Sequence, residues 1–279
     1  MTYHRVKTRE GDRFYREAGT GEPIVLLHCS AGSSGAWVPV MNQLGRDYRV
    51  LAPDLLGYGR SAPWPRDVPL TSDGELGVLE ALLDIAARPV HLVGHSYGGT
   101  VALSAARRFR PRIGSLTLIE PVAFQLLRSA DEPDGWREIA ALAERHLALV
   151  REGRDAAAAE AFVTYWTGPK AWQQMPDTAR DGAVRSAAKV AAEWLLMFAT
   201  EDDLNEIASI EAPTLLVCGG RTRTPARRVF EILRQALPHA RYREIADAGH
   251  MSPLTHPECI ADAIQRHVSA VNPRRLSAA

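Results

Sequence analysis

The stretch Val90-His91-Leu92-Val93-Gly94-His95-Ser96-Tyr97-Gly98-Gly99 decides how this chain is read. The run from Pro89 to Gly94 has the length and apolar content of a β-strand, and the Ala/Leu-rich segment Thr100–Phe109 is helical. Glycines on both sides of Ser96 permit a sharp, strained strand-to-helix turn that pushes the serine hydroxyl out at the carboxyl edge of a sheet. The same turn puts the Tyr97 amide at a helix N-terminus, where it can donate to a developing oxyanion. Ser96 is therefore the candidate nucleophile.

Similar alternation extends in both directions. Short apolar runs occur at Pro23–His28, Tyr48–Asp54, Ile113–Glu120, Ala212–Cys218 and Ala240–Ile245, with helical stretches such as Glu75–Ala87 between them. Apolar strands without clean polar alternation, separated by helices, predict an α/β fold with a mostly parallel twisted sheet covered on both faces. One interval breaks the rhythm. Residues 122–211 show only helical patterns, with aromatics at Trp136, Tyr165, Trp166, Trp172, Trp194 and Phe198. The expected organisation is a core from 1–121 and 212–279, with 122–211 as a helical cap inserted between two strands. The simplest reading of the aromatics is a small core within the insertion, but four of the chain's six tryptophans in one insert would also suit the wall of an apolar pocket. The tail, 271–279, is expected to fray.

Composition narrows the function classes. The 33 basic and 33 acidic residues balance, which argues against electrostatic capture of nucleic acid or an anionic membrane. No apolar run approaches the roughly 18–20 residues of a membrane span, and no signal peptide is visible at the start. Three widely spaced cysteines, Cys29, Cys218 and Cys259, suit neither a disulfide framework nor a zinc site. The expectation is a cytoplasmic globular protein, monomer or homodimer, with a small-molecule partner and no nucleic-acid or membrane partner.

A serine hydroxyl needs a base. That base should follow the last strand, on the same sheet edge as Ser96, in a loop free enough to reach it. Of nine histidines, His250 in Asp247-Ala248-Gly249-His250-Met251-Ser252-Pro253 meets both conditions. His95 is expected to pack on the buried side of the turn, and His256 to serve the start of the final helix.

With these residues in place, the chain resembles the α/β-hydrolase superfamily, in its cap-bearing serine hydrolase branch of esterases, lactonases and related enzymes. The resemblance rests on Gly94–Gly98, Leu27-His28, Asp54-Leu55-Leu56-Gly57-Tyr58-Gly59-Arg60-Ser61 and Ala248-Gly249-His250. It implies a catalytic triad, and here the chain departs from the common pattern. Most relatives carry an aspartate shortly after the strand read at Thr214–Cys218, where this chain has Thr222. Glu120 ends the strand beside the nucleophile strand, and some members place their acid at this topological position. A glutamate there is costly unless paired. Glu120 is the preferred acid. Asp247 is the fallback, and Asp202 and Asp203 would require the cap to fold down.

Relatives usually read His-Gly-x after the first parallel strand, where this chain reads His28-Cys29-Ser30. The resemblance gives the second oxyanion amide to Ser30, or else Cys29. Asp54 is expected to fix the turn at Gly57–Gly59, and a reactive role for Cys29 is disfavoured. His28, Cys29, Trp166, Trp194 and Phe198 are the candidate pocket residues. The implied activity is hydrolysis of an ester-type bond, in a small, largely apolar carboxylic ester or lactone, through Ser96, His250 and Glu120 without metal or organic cofactor. Carbon–carbon bond hydrolysis, thioester hydrolysis, and a ligand-binding receptor that retains the pocket are the alternatives.

Overall fold

Central strands form where consecutive apolar side chains can be buried on opposite faces of one sheet. Ile24 and Leu26 enter one hydrophobic layer while Val25 and Leu27 enter the other, and all four are completely buried. Burial of each contributes about 1.5–3 kcal/mol relative to exposure. The computed structural model describes residues 1–61, 64–66, 68–200 and 204–271. The Asp202 and Asp203 alternatives, and the tail beyond 271, lie outside the described residues.

The chain runs β1 (Thr2–Thr8), β2 (Gly11–Ala18), β3 (Glu22–Leu27), α1 (Val38–Leu44), β4 (Tyr48–Pro53), α2 (Ser72–Ala86), β5 (Val90–His95), α3 (Tyr97–Arg108) and β6 (Ile113–Ile119). Between β6 and β7 come α4 (Gln125–Ser129), α5 (Pro133–Arg151), α6 (Asp155–Thr167), α7 (Ala171–Gln174), α8 (Asp177–Arg185), α9 (Ala187–Ala199) and α10 (Leu204–Ala208). The chain then returns through β7 (Thr214–Gly219), α11 (Thr224–Ala236), β8 (Arg241–Ile245), α12 (Ser252–Thr255) and α13 (Pro257–Val271).

The strands form one eight-stranded sheet in the order β1-β2-β4-β3-β5-β6-β7-β8. β2 pairs antiparallel with both β1 and β4, and the other pairings are parallel. This is the α/β-hydrolase fold, a mostly parallel sheet flanked by helices. One face packs under α2, α3 and α11, the other under α1 and α13. Because β3 has β4 on one side and β5 on the other, the winding reverses beside β3, and a crevice opens there at the carboxyl ends of the strands.

The hairpin β1–β2 is absent from the sequence reading, for a physical reason. Its residues, TYHRVKT and GDRFYREA, are mostly exposed or half-exposed and carry charge at a sheet edge, so they offer no apolar run. Among the described residues no helix is long and apolar enough to cross a membrane.

Candidate active site

Backbone geometry at the end of β5 sets the site. Ser96 has φ 56 and ψ −120, a conformation costly for a non-glycine residue. Two close approaches make the turn possible. A Cβ on Gly94 would lie 2.3 Å from the Gly98 carbonyl oxygen, and one on Gly98 would lie 2.4 Å from that of Leu27. Tyr97 is the first residue of α3, so its N–H has no partner within the helix. The Ser96 amide donates to the Ile119 carbonyl (3.0 Å), tying the turn to the end of β6.

Glu120 follows immediately after β6, also at positive φ, 44. The Ser96 hydroxyl donates to His250 Nε2 at 2.9 Å, and His250 Nδ1 donates to Glu120 Oε2 at 2.7 Å. All three residues are buried. Glu120 Oε1 accepts the Gly219 amide (2.7 Å), and Oε2 also accepts the Thr222 hydroxyl. Burial alone would raise the Glu120 pKa, but its hydrogen bond to His250, the electrostatic interaction with that ring, the Thr222 hydroxyl and the Gly219 amide together hold it below the ordinary carboxylate value. Thr222 thus supports the carboxylate through its hydroxyl. Asp247, the fallback acid, is exposed and paired with Arg221 at 2.7 Å.

The loop that carries His250 has its own anchors. His95 Nε2 donates to the His250 carbonyl (2.8 Å), and desolvation pushes the His95 imidazole down to about 3, so it stays neutral. Trp166 of α6 stacks on the His250 ring, with centroids 3.9 Å apart and planes inclined by 29°. Nothing around these residues in the sequence marked either contact. Asp54 accepts the Ser34 amide (2.8 Å) and the Arg60 amide (3.0 Å), fixing the Gly57–Gly59 turn and tying it to the loop after β3.

Two spaces meet at Ser96. An outer cavity of about 780 Å³ is lined by Ser96, His250, Cys29, Ser30, Phe162 and Trp166, among others. A far smaller inner pocket, about 10 Å³, is bounded by Ser96, Ser30, Phe124, Trp194, Met197 and Glu193 with neighbouring apolar residues. Cys29, Trp166 and Trp194 therefore lie on these walls. His28 and Phe198 do not. The His28 ring turns back to accept the Leu55 amide (3.0 Å) and to donate to the Cys29 carbonyl (2.7 Å). Phe198 packs against Trp136, with ring centroids 4.8 Å apart, near the end of α9. Burial pushes the Cys29 thiol up to about 12, which leaves it unreactive.

The sequence reading also missed Lys189 and Glu193, which are buried beside the site. They are the charged residues of the otherwise apolar helix AAKVAAEWLLMFA, a pair whose spacing alone also fits a solvated helix face.

Comparison with known proteins identifies the family. The chain is 26% identical over 272 residues to Lipase 1 of Psychrobacter immobilis, covering 95% of this chain and 83% of that protein. It is 27% identical over 267 residues to the 2-hydroxy-6-oxo-6-(2'-aminophenyl)hexa-2,4-dienoic acid hydrolase of Metapseudomonas resinovorans, covering 89% and 84% respectively. The solved enol-lactonase of Burkholderia xenovorans LB400 superposes with a TM-score of 0.77 at 22% identity, over 95% of this chain and all of that one. Residues 22–257 match the profile of the alpha/beta hydrolase fold family, and the chain belongs to that family.

Proposed function

We propose that the protein hydrolyses an ester-type bond, in a small, largely apolar carboxylic ester or lactone, through a Ser96–His250–Glu120 triad and an acyl-enzyme. The observation that carries this reading is the unbroken hydrogen-bond chain of 2.9 and 2.7 Å from serine to carboxylate. Ser96 Oγ attacks the substrate carbonyl while His250 Nε2 takes its proton, and Glu120 holds the imidazole tautomer and stabilises the imidazolium. The Ser30 and Tyr97 amides bind the tetrahedral oxyanion, each such donor supplying about 2.7–4 kcal/mol. His250 returns its proton to the leaving oxygen, then deprotonates the water that releases the acid. The helices between β6 and β7 act as a cap over this reaction.

The two spaces at Ser96 orient the substrate. A leaving group must lie near His250 Nε2, and His250 lines the outer cavity but not the inner pocket. The leaving group therefore occupies the large cavity and the acyl group the small pocket. Esters with an acetyl-sized acyl group should be turned over about 10-fold or more faster than octanoyl esters of the same alcohol.

The first experiment is intact and peptide mass spectrometry after exposure to a fluorophosphonate. A single adduct on Ser96, lost in His250→Ala, is expected. A folded protein that takes no adduct overturns the reading and favours the ligand-binding alternative. Carbon–carbon bond hydrolysis is the second reading, supported by the similarity to the dienoic acid hydrolase. An ester panel that fails on protein able to take the adduct, alongside turnover of a vinylogous diketone, would favour it.

A further inference from the structure

A second buried ionic cluster lies beside Ser96, and the triad does not use it. Lys189 Nζ donates to Glu75 Oε1 (2.5 Å) and to Glu193 Oε1 (2.8 Å). Glu75 belongs to α2, whereas Lys189 and Glu193 stand one turn apart on α9. The side chains of all three are at most 2% exposed. The ammonium also lies 5.0 Å and 5.1 Å from the ring centroids of Tyr58 and Tyr97, within cation–π range of both.

Three hydroxyls complete the cluster. Tyr58 donates to Glu193 Oε1 (2.6 Å), Tyr97 to Glu75 Oε1 (3.1 Å), and Ser30 to Glu193 Oε2 (2.5 Å). Ser30 and Tyr97 are the two residues assigned the oxyanion amides. Each has its hydroxyl anchored to one of two carboxylates, and one lysine joins those carboxylates. Charges buried this deeply cost more in lost hydration than well-packed apolar groups of similar volume would, so fold stability alone is a poor reason to keep them. What the arrangement supplies is position. Seating α9 on α2 places Glu193 where it holds the loop after β3, while the same lysine holds the carboxylate that fixes Tyr97.

We propose that Lys189, Glu193 and Glu75 are positioning residues that couple the docking of α9 to the geometry of the oxyanion hole, acting on the Ser30 loop through its hydroxyl. This rests on the ester-hydrolase reading above. The direct test is Ser30→Ala, which keeps the amide and removes only the tether to Glu193. Ser30 is half-exposed on a loop, so the variant should fold even where Lys189→Met does not.

The expected result is a fall in kcat of about 10-fold on an acetyl ester with KM within about twofold, since the loop acts on the transition state more than on bound substrate. Affinity for a trifluoromethyl ketone, which forms an oxyanion on Ser96, should fall by a similar factor. Affinity for the corresponding unreactive methyl carbinol should not change. Ser30→Thr, which restores a hydroxyl, should recover most of both losses. Wild-type kcat and wild-type ketone affinity in Ser30→Ala would overturn the proposal, as would a loss confined to KM. The two levels remain distinguishable. If the wild-type protein takes no fluorophosphonate on Ser96, the hydrolase reading fails and this proposal with it. If the wild type is labelled and Ser30→Ala behaves identically, only the proposal fails.

Discussion

Two buried charge clusters flank Ser96, and they are built from different material. The Glu120 cluster is made by strand ends. Its carboxylate leaves β6, its amide donor Gly219 ends β7, its hydroxyl donor Thr222 lies just beyond, and His250 sits in the loop after β8. The Lys189 cluster is made by helix faces, α9 against α2, and reaches the sheet edge only through hydroxyls. In the first, the parallel sheet brings the groups together, since its strands all end on one edge. In the second, nothing brings them together except the docking of α9. Chemistry placed on strand ends is secured by the sheet, whereas support placed on a helix depends on how that helix seats.

The largest contrast comes from isosteric removal of charge. Glu120→Gln should lower kcat/KM by about 10⁴-fold, because the amide no longer stabilises the imidazolium and permits the wrong tautomer. Steady-state kinetics on an acetyl ester checks this, and a loss of only a few-fold would remove Glu120 from the triad. Lys189→Met should act first on stability. Stranding two buried carboxylates costs about 3–5 kcal/mol, read as a fall in the urea midpoint. Replacing Lys189, Glu75 and Glu193 together by apolar residues of similar volume should restore that stability without restoring kcat. Recovery of both would erase the distinction between the clusters.

A smaller effect is expected from the anchor of the loop that carries His250. His95 is held neutral down to about 3, whereas the unfolded chain protonates it near 6.5. Its contribution is therefore fully present above pH 6.5 and is lost as pH falls through the window from 6.5 to 3, by about 2 kcal/mol at pH 5. Denaturant titrations at pH 7 and pH 5 should show His95→Gln losing less stability between the two than the wild type does. The smallest effect belongs to Thr222→Val. Removing one hydroxyl from a carboxylate that keeps the Gly219 amide and His250 should cost about 1 kcal/mol, or roughly fivefold in kcat/KM. A much larger loss would make Thr222 an equal partner of Glu120.

The same contrast explains what the sequence disclosed. Ser96 and Glu120 could be picked out because a residue at the end of an apolar strand has one place to go, and His250 because the loop after β8 leaves from the same sheet edge. Six of the eight strands, β3 to β8, and the wholly helical stretch between β6 and β7 were legible from apolar runs and their absence. Lys189 and Glu193 were not, because a lysine and a glutamate four apart on a helix ordinarily read as a solvated pair. Whether they face water or α2 depends on a tertiary contact that no local pattern records. His28 and Phe198 show the same limit at single residues. Both sit next in sequence to residues that line the cavities, yet His28 turns back toward Leu55 and Phe198 toward Trp136. The β1–β2 hairpin was missed because its polar, largely exposed residues offer no apolar run.

The stacking of Trp166 on His250 gives the molecule an optical readout of its own. A protonated imidazole is an efficient quencher of indole emission, and the centroids of these two rings are 3.9 Å apart. Subtracting the emission of Trp166→Phe from that of the wild type should isolate a signal that follows the charge of the His250 ring. The ring that touches Ser96 could then be watched by light in the resting protein, with no substrate present and no bond being broken.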